Sequence, residues 1–481
     1  MKRMLATLCL VIIFSIVVSV FFFYLSSHPY SAHETSASFP ALIFSLWLIA
    51  VAMWGKLFYV YRVAGLFDLT IERFVFGVVI LILIAGAFAG SPSWRGKRVI
   101  ERSLFLFALI CMASMTIHGF GPSSSKYASP WFIFISAYLF PFAAFLFAKR
   151  YLVAEKNLSL VFHVLFYLGV YLAIIAFFEF FNLRQYVYPR FIADPKILSH
   201  LDRARGPFFN AAVNGFAIVI GFICGVQLLS FKRGFARLLH LILMTVFFPA
   251  VFFTQTRSIY LCFLVTLVTL LVAYRTPVSK WKLFAIPLAL VMIFAIVNLP
   301  RLESSERREG GVYQVEEVTI REALFKMSLV MVKDNPVFGV GLAQFIPASV
   351  ARYKNLVPLP ATYQPTSQHH QLLAMAVELG LVGLFVYLSI TVVFFRRVYS
   401  LFIGLPKAGF IDSNLALLIG LALGVYILNN FFIDSSFQLF PNAVFFTFGG
   451  MADGLYGQLE LTRTAADEGA IPLGLSPSYG A

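Results

Sequence analysis

Apolar runs of about 20 residues recur along this chain, each long enough to carry a helix across the hydrocarbon core of a bilayer. Candidate spans lie at 4–25, 41–56, 74–90, 103–118, 131–148, 160–180, 211–230, 238–254, 258–274, 282–299, 372–395, 413–432 and 437–455, the last interrupted by Gly449 and Gly450. Lipid offers no hydrogen-bond partner to an exposed peptide group, so spans of this length must satisfy their own backbone as helices. The expected fold is all-α, a polytopic membrane helix bundle of about 12 spans. Composition agrees: 60% of the 481 residues are hydrophobic and 12% are charged, whereas a soluble chain carries roughly 25% charged residues.

The formal net charge is +15. Much of the excess sits in short loops, "WRGKR" at 94–98, "KRGFAR" at 232–237 and "RRVY" at 396–399. That pattern reports topology before ligand chemistry, so nucleic acid is discarded as a partner and membrane lipid is expected. The loops at 148–152, 232–237, 275–282 and 396–399 should be cytoplasmic, which places 182–210, 254–257 and 300–371 on the outer side. Both flanks of 74–90 are basic, so parity over the first hundred residues fails unless 55–72 adds a partial pass or the run at 4–25 is not a span, and it stays open. The four cysteines, Cys9, Cys111, Cys224 and Cys262, all lie inside apolar runs. Neither a disulfide framework nor structural zinc is expected from them. The basic start and long apolar run at the N-terminus suit an uncleaved first span better than a signal peptide.

One domain is expected over 1–455. It includes a long polar outer loop at 300–371, and 456–481 reads as a disordered cytoplasmic tail. Long loops of this kind are commonly functional. Within it, Leu324, Met327 and Met331 fall at helical spacing over 315–336, Lys333 stands near the end and Pro336 acts as a stop. This predicts an amphipathic helix lying on the membrane or on the bundle.

Four outer-side stretches carry residues of unusual chemistry. In "TQTRSIYL" (254–261), Arg257 stands at the mouth of a span, as a functional charge or an interfacial anchor. Arg321 projects from the loop helix and is followed by "NPVFGVGLAQF" (335–345), where Gly339 and Gly341 permit close backbone approach to a ligand. In "SQHHQLLAMAVELGLVGLF" (367–385), His369 and His370 stand where the chain re-enters the bilayer, with Glu378 about two turns further in. Imidazole is suited to proton transfer near neutral pH; a metal site is the weaker alternative, because no further ligand sits at suitable spacing. In "RARGPFFNAAVNGFA" (203–217), Arg203 and Arg205 precede a span that opens with Asn210 and Asn214. Arginines at the headgroup level match the oxygens of a lipid-borne diphosphate.

This ordered set resembles the O-antigen ligase and polymerase superfamily. "RARGPFFNAAVNGFA" is similar to its R-x-x-G-x-F-x-N-P-N opening, and "TQTRS" resembles its T-x-S-R turn with Thr256 in place of Ser. "REALFKMSLVMVKDNPVFGVGLAQF" resembles its loop helix followed by P-x-x-G-x-G. "HHQLLAMAVELGLVGLF" resembles its H-N-x-x-L-x-x-x-x-E-x-G-x-x-G re-entry, with His370 at the usual Asn position. The match covers about residues 200–390. The resemblance implies a C-type glycosyltransferase fold with a large periplasmic loop, in the bacterial inner membrane. It also implies a metal-independent, inverting transfer of a glycan from undecaprenyl diphosphate to an acceptor hydroxyl, with no cofactor. Arg257 and Arg321 would then contact the diphosphate and His369 would be the base. Arg205, Arg203, Asn214, His370, Gly339 and Gly341 are the secondary candidates. The acceptor is lipid A–core for a ligase, or a second lipid-linked glycan for a polymerase, and the reading leans to the ligase. A protein O-oligosaccharyltransferase is the other enzymatic possibility. A transporter is the non-enzymatic one, and it would call for internal repeats that are not evident.

Overall fold

The computed structural model describes residues 38–55, 58–63, 67–88, 98–120, 129–197, 199–275, 315–353 and 368–467, with isolated positions between 289 and 296. In chain order the main elements are α1 (Phe39–Met53), a two-stranded antiparallel hairpin of β1 (Tyr61–Val63) and β2 (Phe67–Leu69), α2 (Ile71–Phe88) and α3 (Val99–His118). Next come α4 (Pro130–Tyr151), α5 (Glu155–Phe180), α6 (Ala211–Leu229), α7 (Gly234–Phe253) and α8 (Arg257–Ala273). The loop helix α9 (Val315–Asp334) precedes α10 (Gln371–Gly404), α11 (Ser413–Asn430) and α12 (Leu439–Asp467).

Among the described residues, α2 to α7, α10 and α11 are the eight helices long and apolar enough to cross a membrane, and α1 and α8 are shorter apolar helices. This is the all-α polytopic membrane architecture that the apolar runs predict. The expected spans at 4–25 and 282–299 lie outside the described residues; each of the other eleven corresponds to one helix.

Burial separates a core from a lipid-facing rim. Every residue of α6 is buried, whereas only 22% of α2 and 28% of α7 are. The exposed side chains of the rim are themselves apolar, such as Phe235, Val272 and Phe385, which is the pattern of a bundle whose solvent is hydrocarbon. In lipid, helices associate through close packing and not through water exclusion, so small residues mark the contacts. A Cβ on Gly169 of α5 would sit 2.8 Å from the Cα of Gly221 in α6. Gly449 and Gly450 follow the same rule and correct the expected interruption of the last span. The helix runs unbroken through both, because Gly450 lies against the Phe145 carbonyl of α4 and Gly449 against the Phe394 ring of α10. In α4, Pro141 has no N–H for the Ala137 carbonyl, the backbone widens to a π-turn at Phe134–Leu139, and Asn442 Nδ2 of α12 donates to Ala137 O at 3.4 Å.

End-to-end contacts set the direction of each helix. At one end, Ser38 N donates to Asn157 Oδ1 (2.9 Å), Arg150 Nη2 donates to Gly86 O (2.6 Å), and Arg275 N donates to Asn414 Oδ1 (2.9 Å). Lys149 pairs there with Glu101 and with Asp453 (2.8 Å), and Arg397 pairs with Asp453 at 3.0 Å. These contacts collect the loops expected to be cytoplasmic. At the other end, Ala204 N donates to Phe253 O (3.2 Å), Ser258 Oγ to Asn429 Oδ1 (3.0 Å) and Leu342 N to Ser114 Oγ (2.9 Å). Between α1 and α2, β1 and β2 pair as a short antiparallel hairpin in place of a partial pass; the span at 4–25, on which parity also depends, lies outside the described residues.

One boundary is corrected. The polar stretch from 456 is expected to be disordered, yet α12 stays helical to Asp467. Packing holds the extra turns: the Arg397 guanidinium lies 3.9 Å above the Tyr456 ring centroid, and Arg463 lies against Gly404. Residues 468–481 lie outside the described residues.

Candidate active site

All the candidate residues lie at the end opposite the basic loops. So do all six non-glycine residues with left-handed backbone among the described ones: Asn182, His200, Phe209, Gln255, Ala343 and His369. Backbone strain of this kind persists only where surrounding structure enforces it, and it concentrates at functional sites.

The re-entry of α10 is built around Glu378. Gly380 has φ +69 and breaks the helix there, and the loop after α9 threads into the gap. Val340 N donates to Val377 O (2.8 Å), Gly341 N to Glu378 O (3.1 Å) and Leu381 N to Pro336 O (2.8 Å). The Glu378 carboxylate accepts from Ala343 N (3.0 Å, Oε2) and Phe345 N (3.3 Å, Oε1). Glu378 therefore clamps backbone amides; neither a basic partner nor simple helix packing describes it. Gly339 and Gly341 are required for this docking. A Cβ on Gly339 would sit 2.5 Å from the Glu378 carbonyl carbon, and one on Gly341 would sit 2.7 Å from the His118 ring. The close approach these glycines permit is thus to α10 and α3, where a ligand was expected.

The same docking places Arg321. The stripe Leu324, Met327 and Met331 is buried in a cluster with Val340, Phe345 and Val377, with Leu373 packed at its edge. Helices α9 and α10 hence run side by side, joined at Pro336 and Leu381. From those residues back to Arg321 and to His369 is about 22 Å and about 18 Å of helix, at ~1.5 Å per residue. Both residues therefore lie on the same side of that junction, Arg321 on α9 and His369 just before α10. Arg321 is exposed and His369 half-buried.

His370 is the N-cap of α10: its Nδ1 accepts from Leu373 N at 3.2 Å. Its ring packs edge-on against Phe431, with centroids 5.2 Å apart. Asn is among the best N-cap residues, so the imidazole here performs the capping that an Asn would. Burial holds its pKa below the ordinary imidazole value, which keeps Nδ1 an acceptor. His369 is thereby left as the imidazole without a helix-capping role.

Phe431 directly follows α11, and the last turn of that helix also reaches Ser258, the neighbour of Arg257. Asn429 Oδ1 accepts from Ser258 Oγ, and both side chains are buried. Arg257 is exposed at the first position of α8, next to Ser258. The starts of α8 and α10 are therefore fixed to the same end of α11, at Asn429 and Phe431. Asp434, just after α11, accepts from Ser436 N at 2.9 Å. Burial pushes its carboxyl above the usual carboxylate range, and it lies close enough to Glu378 for the two carboxylates to repel.

In the 203–210 stretch the candidates divide. Arg205 is fully buried and donates to four backbone carbonyls, Ile197, Ser199 (2.7 Å), Ile192 (2.8 Å) and Asp194 (3.1 Å). Asn214, also fully buried, donates to Ala204 O at 3.1 Å. Both hold the outer loop together through these bonds. Glu179 accepts from Gly206 N at 2.9 Å and completes the clamp. Arg203 is mostly buried in this turn, 12% exposed, near Asp202 and the Tyr260 phenol.

Sequence reasoning passed over Glu179, Asn429 and Asp434. The signal for the last two was visible as the polar cluster "NNFFIDSS" (429–436) at the end of an apolar run. Residues 239–388 match the family model described as O-antigen ligase. That stretch carries Arg257, Arg321, Gly339, Gly341, His369, His370 and Glu378, and excludes Arg203, Arg205 and Asn214. A comparison with curated proteins finds no match.

Proposed function

Residues 239–388 place this chain in the O-antigen ligase and polymerase superfamily of glycosyl-transferring membrane enzymes, and from that premise we propose that it moves a glycan from undecaprenyl diphosphate to lipid A–core, as a ligase. The observation that carries the reading is that the end of α11 holds both Ser258, which follows Arg257, and His370, which follows His369, with the Arg321-bearing helix α9 docked beside α10.

In this reading the basic loops at the opposite end face the cytoplasm, and the site faces the periplasm of the inner membrane. Arg257 and Arg321 grip the diphosphate oxygens and stabilise the charge that develops as undecaprenyl diphosphate leaves. His369 accepts the proton of the acceptor hydroxyl while that oxygen attacks the anomeric carbon. One C–O bond forms as the C–O bond to phosphate breaks on the opposite face, which inverts the configuration. The arginines supply positive charge without a metal. Arg205, Asn214 and Glu179 act through the backbone they hold, and Arg203 is a secondary donor contact.

Full-length protein in lipid nanodiscs would be given an undecaprenyl-diphosphate glycan with either lipid A–core or a second lipid-linked repeat, in chelator. Transfer to lipid A–core is expected; transfer to the second repeat alone would replace ligase by polymerase. Arg257→Ala, Arg321→Ala and His369→Ala should each abolish transfer with normal expression. Wild-type surface polysaccharide in cells complemented by these variants would refute the assignment.

A further inference from the structure

Among the described residues, two buried amide groups at the site end have donors without an acceptor at full hydrogen-bond distance. Gln368, immediately before His369, is 4% exposed, and its Nε2 has no hydrogen-bond partner. Asn430, the last residue of α11, is 3% exposed, and its Nδ2 has no partner at full hydrogen-bond distance, making only a weak approach to the Tyr426 hydroxyl. The orientation of Asn430 is set by Ser435 Oγ, which donates to Oδ1 at 2.5 Å and leaves the nitrogen pointing elsewhere. The two residues flank one junction. Next to Gln368, the His370 ring meets Phe431, and Gln371 Nε2 donates to Tyr426 OH at 3.1 Å. Next to Asn430 lie those same partners, Phe431 and the α11 helix that carries Tyr426.

Leaving a buried N–H unpaired is costly, and the great majority of such groups in native proteins are satisfied. Both orphaned atoms are donors, so the missing partner must present oxygen lone pairs. Both are neutral, so they add direction without adding charge. We propose that Gln368 and Asn430 are substrate-binding residues that donate to oxygens of the glycosyl diphosphate or of the acceptor sugar beside His369. This inference rests on the transferase reading for the identity of the ligand. The orphaned amides themselves do not depend on it.

The test uses full-length protein in nanodiscs with Gln368→Met and Asn430→Asp, the latter keeping the acceptor for Ser435. Undecaprenyl diphosphate without sugar serves as the probe in a thermal-shift titration, and turnover is followed with the glycan-bearing lipid and lipid A–core. If the oxygens are phosphate, affinity for undecaprenyl diphosphate should fall about tenfold to a hundredfold, as for a charge-assisted bond. If they are hydroxyls, that affinity holds and the KM for the acceptor or for the sugar-bearing donor rises about threefold to tenfold. In either case ligand-free Gln368→Met should melt no lower than wild type, because an unsatisfied donor has been removed. A lower melting temperature with unchanged affinity and KM would assign the amides to the fold and overturn the proposal. If wild type shows no turnover but Gln368→Met still weakens binding of undecaprenyl diphosphate, the transferase reading fails and this inference stands.

Discussion

Replacing Glu378 by Ala isolates the interaction that joins the outer loop to α10. The substitution deletes the acceptor of two buried N–H groups, Ala343 N at 3.0 Å and Phe345 N at 3.3 Å. Each unsatisfied buried donor costs about 1–3 kcal/mol, so the pair costs roughly 2–6 kcal/mol. Relief from burying a carboxylate returns part of this, which leaves about 2–4 kcal/mol. That loss falls on the docking of residues 339–345 and not on the spans, because the neighbouring backbone bonds at Val340, Gly341 and Leu381 also belong to the loop. Hydrogen exchange on nanodisc-embedded protein should show the amides of 340–345 opening about thirtyfold to a thousandfold more readily, at ~1.4 kcal/mol per tenfold. Exchange in α6 should be unchanged. Transfer should fall with the loop, since α9 is held beside α10 through the same segment. Unaltered exchange at Ala343 and Phe345 would refute the clamp, and full activity with an opened loop would refute the placement of Arg321 by docking.

Four further outcomes follow from three residues. His370→Ala should lose an N-cap and about 1 kcal/mol, whereas His370→Asn should retain both stability and transfer; thermal melts and turnover check this. Because burial lowers the folded-state pKa of His370, the unfolded chain binds the extra proton. Stability should therefore decline as pH falls below the ordinary imidazole value of about 6.5, and His370→Asn should lessen that decline in melts between pH 8 and 5. Gly380→Ala should collide with the Val337 carbonyl and force a left-handed alanine, at a cost of about 2 kcal/mol or more; expression and melting would reveal it. Arg205→Met should strip four carbonyls of their donor and destabilise the outer loop on the order of 3–5 kcal/mol, seen as protease sensitivity at 190–200, with Lys restoring part of it.

What the amino-acid order determined alone was whatever depends on local composition. Apolar runs near 20 residues settle that the chain crosses lipid as helices, because the peptide groups of Leu or Phe stretches have no other partner there. The stripe Leu324, Met327 and Met331 settled the loop helix, and the motif order marked Arg257, Arg321 and His369 as residues to examine. Tertiary structure decided what each polar group is spent on, because a side chain's role depends on which atoms surround it. Arg203 and Arg205 are two residues apart and chemically identical, yet four backbone carbonyls enclose one while the other lies beside Asp202 and the Tyr260 phenol. His369 and His370 are adjacent, yet only one caps a helix. Gly449 and Gly450 read as a break and act as a packing surface. Glu378 accepts amides from a loop 33 to 35 residues away, a pairing set by the kink at Gly380 and by no local pattern.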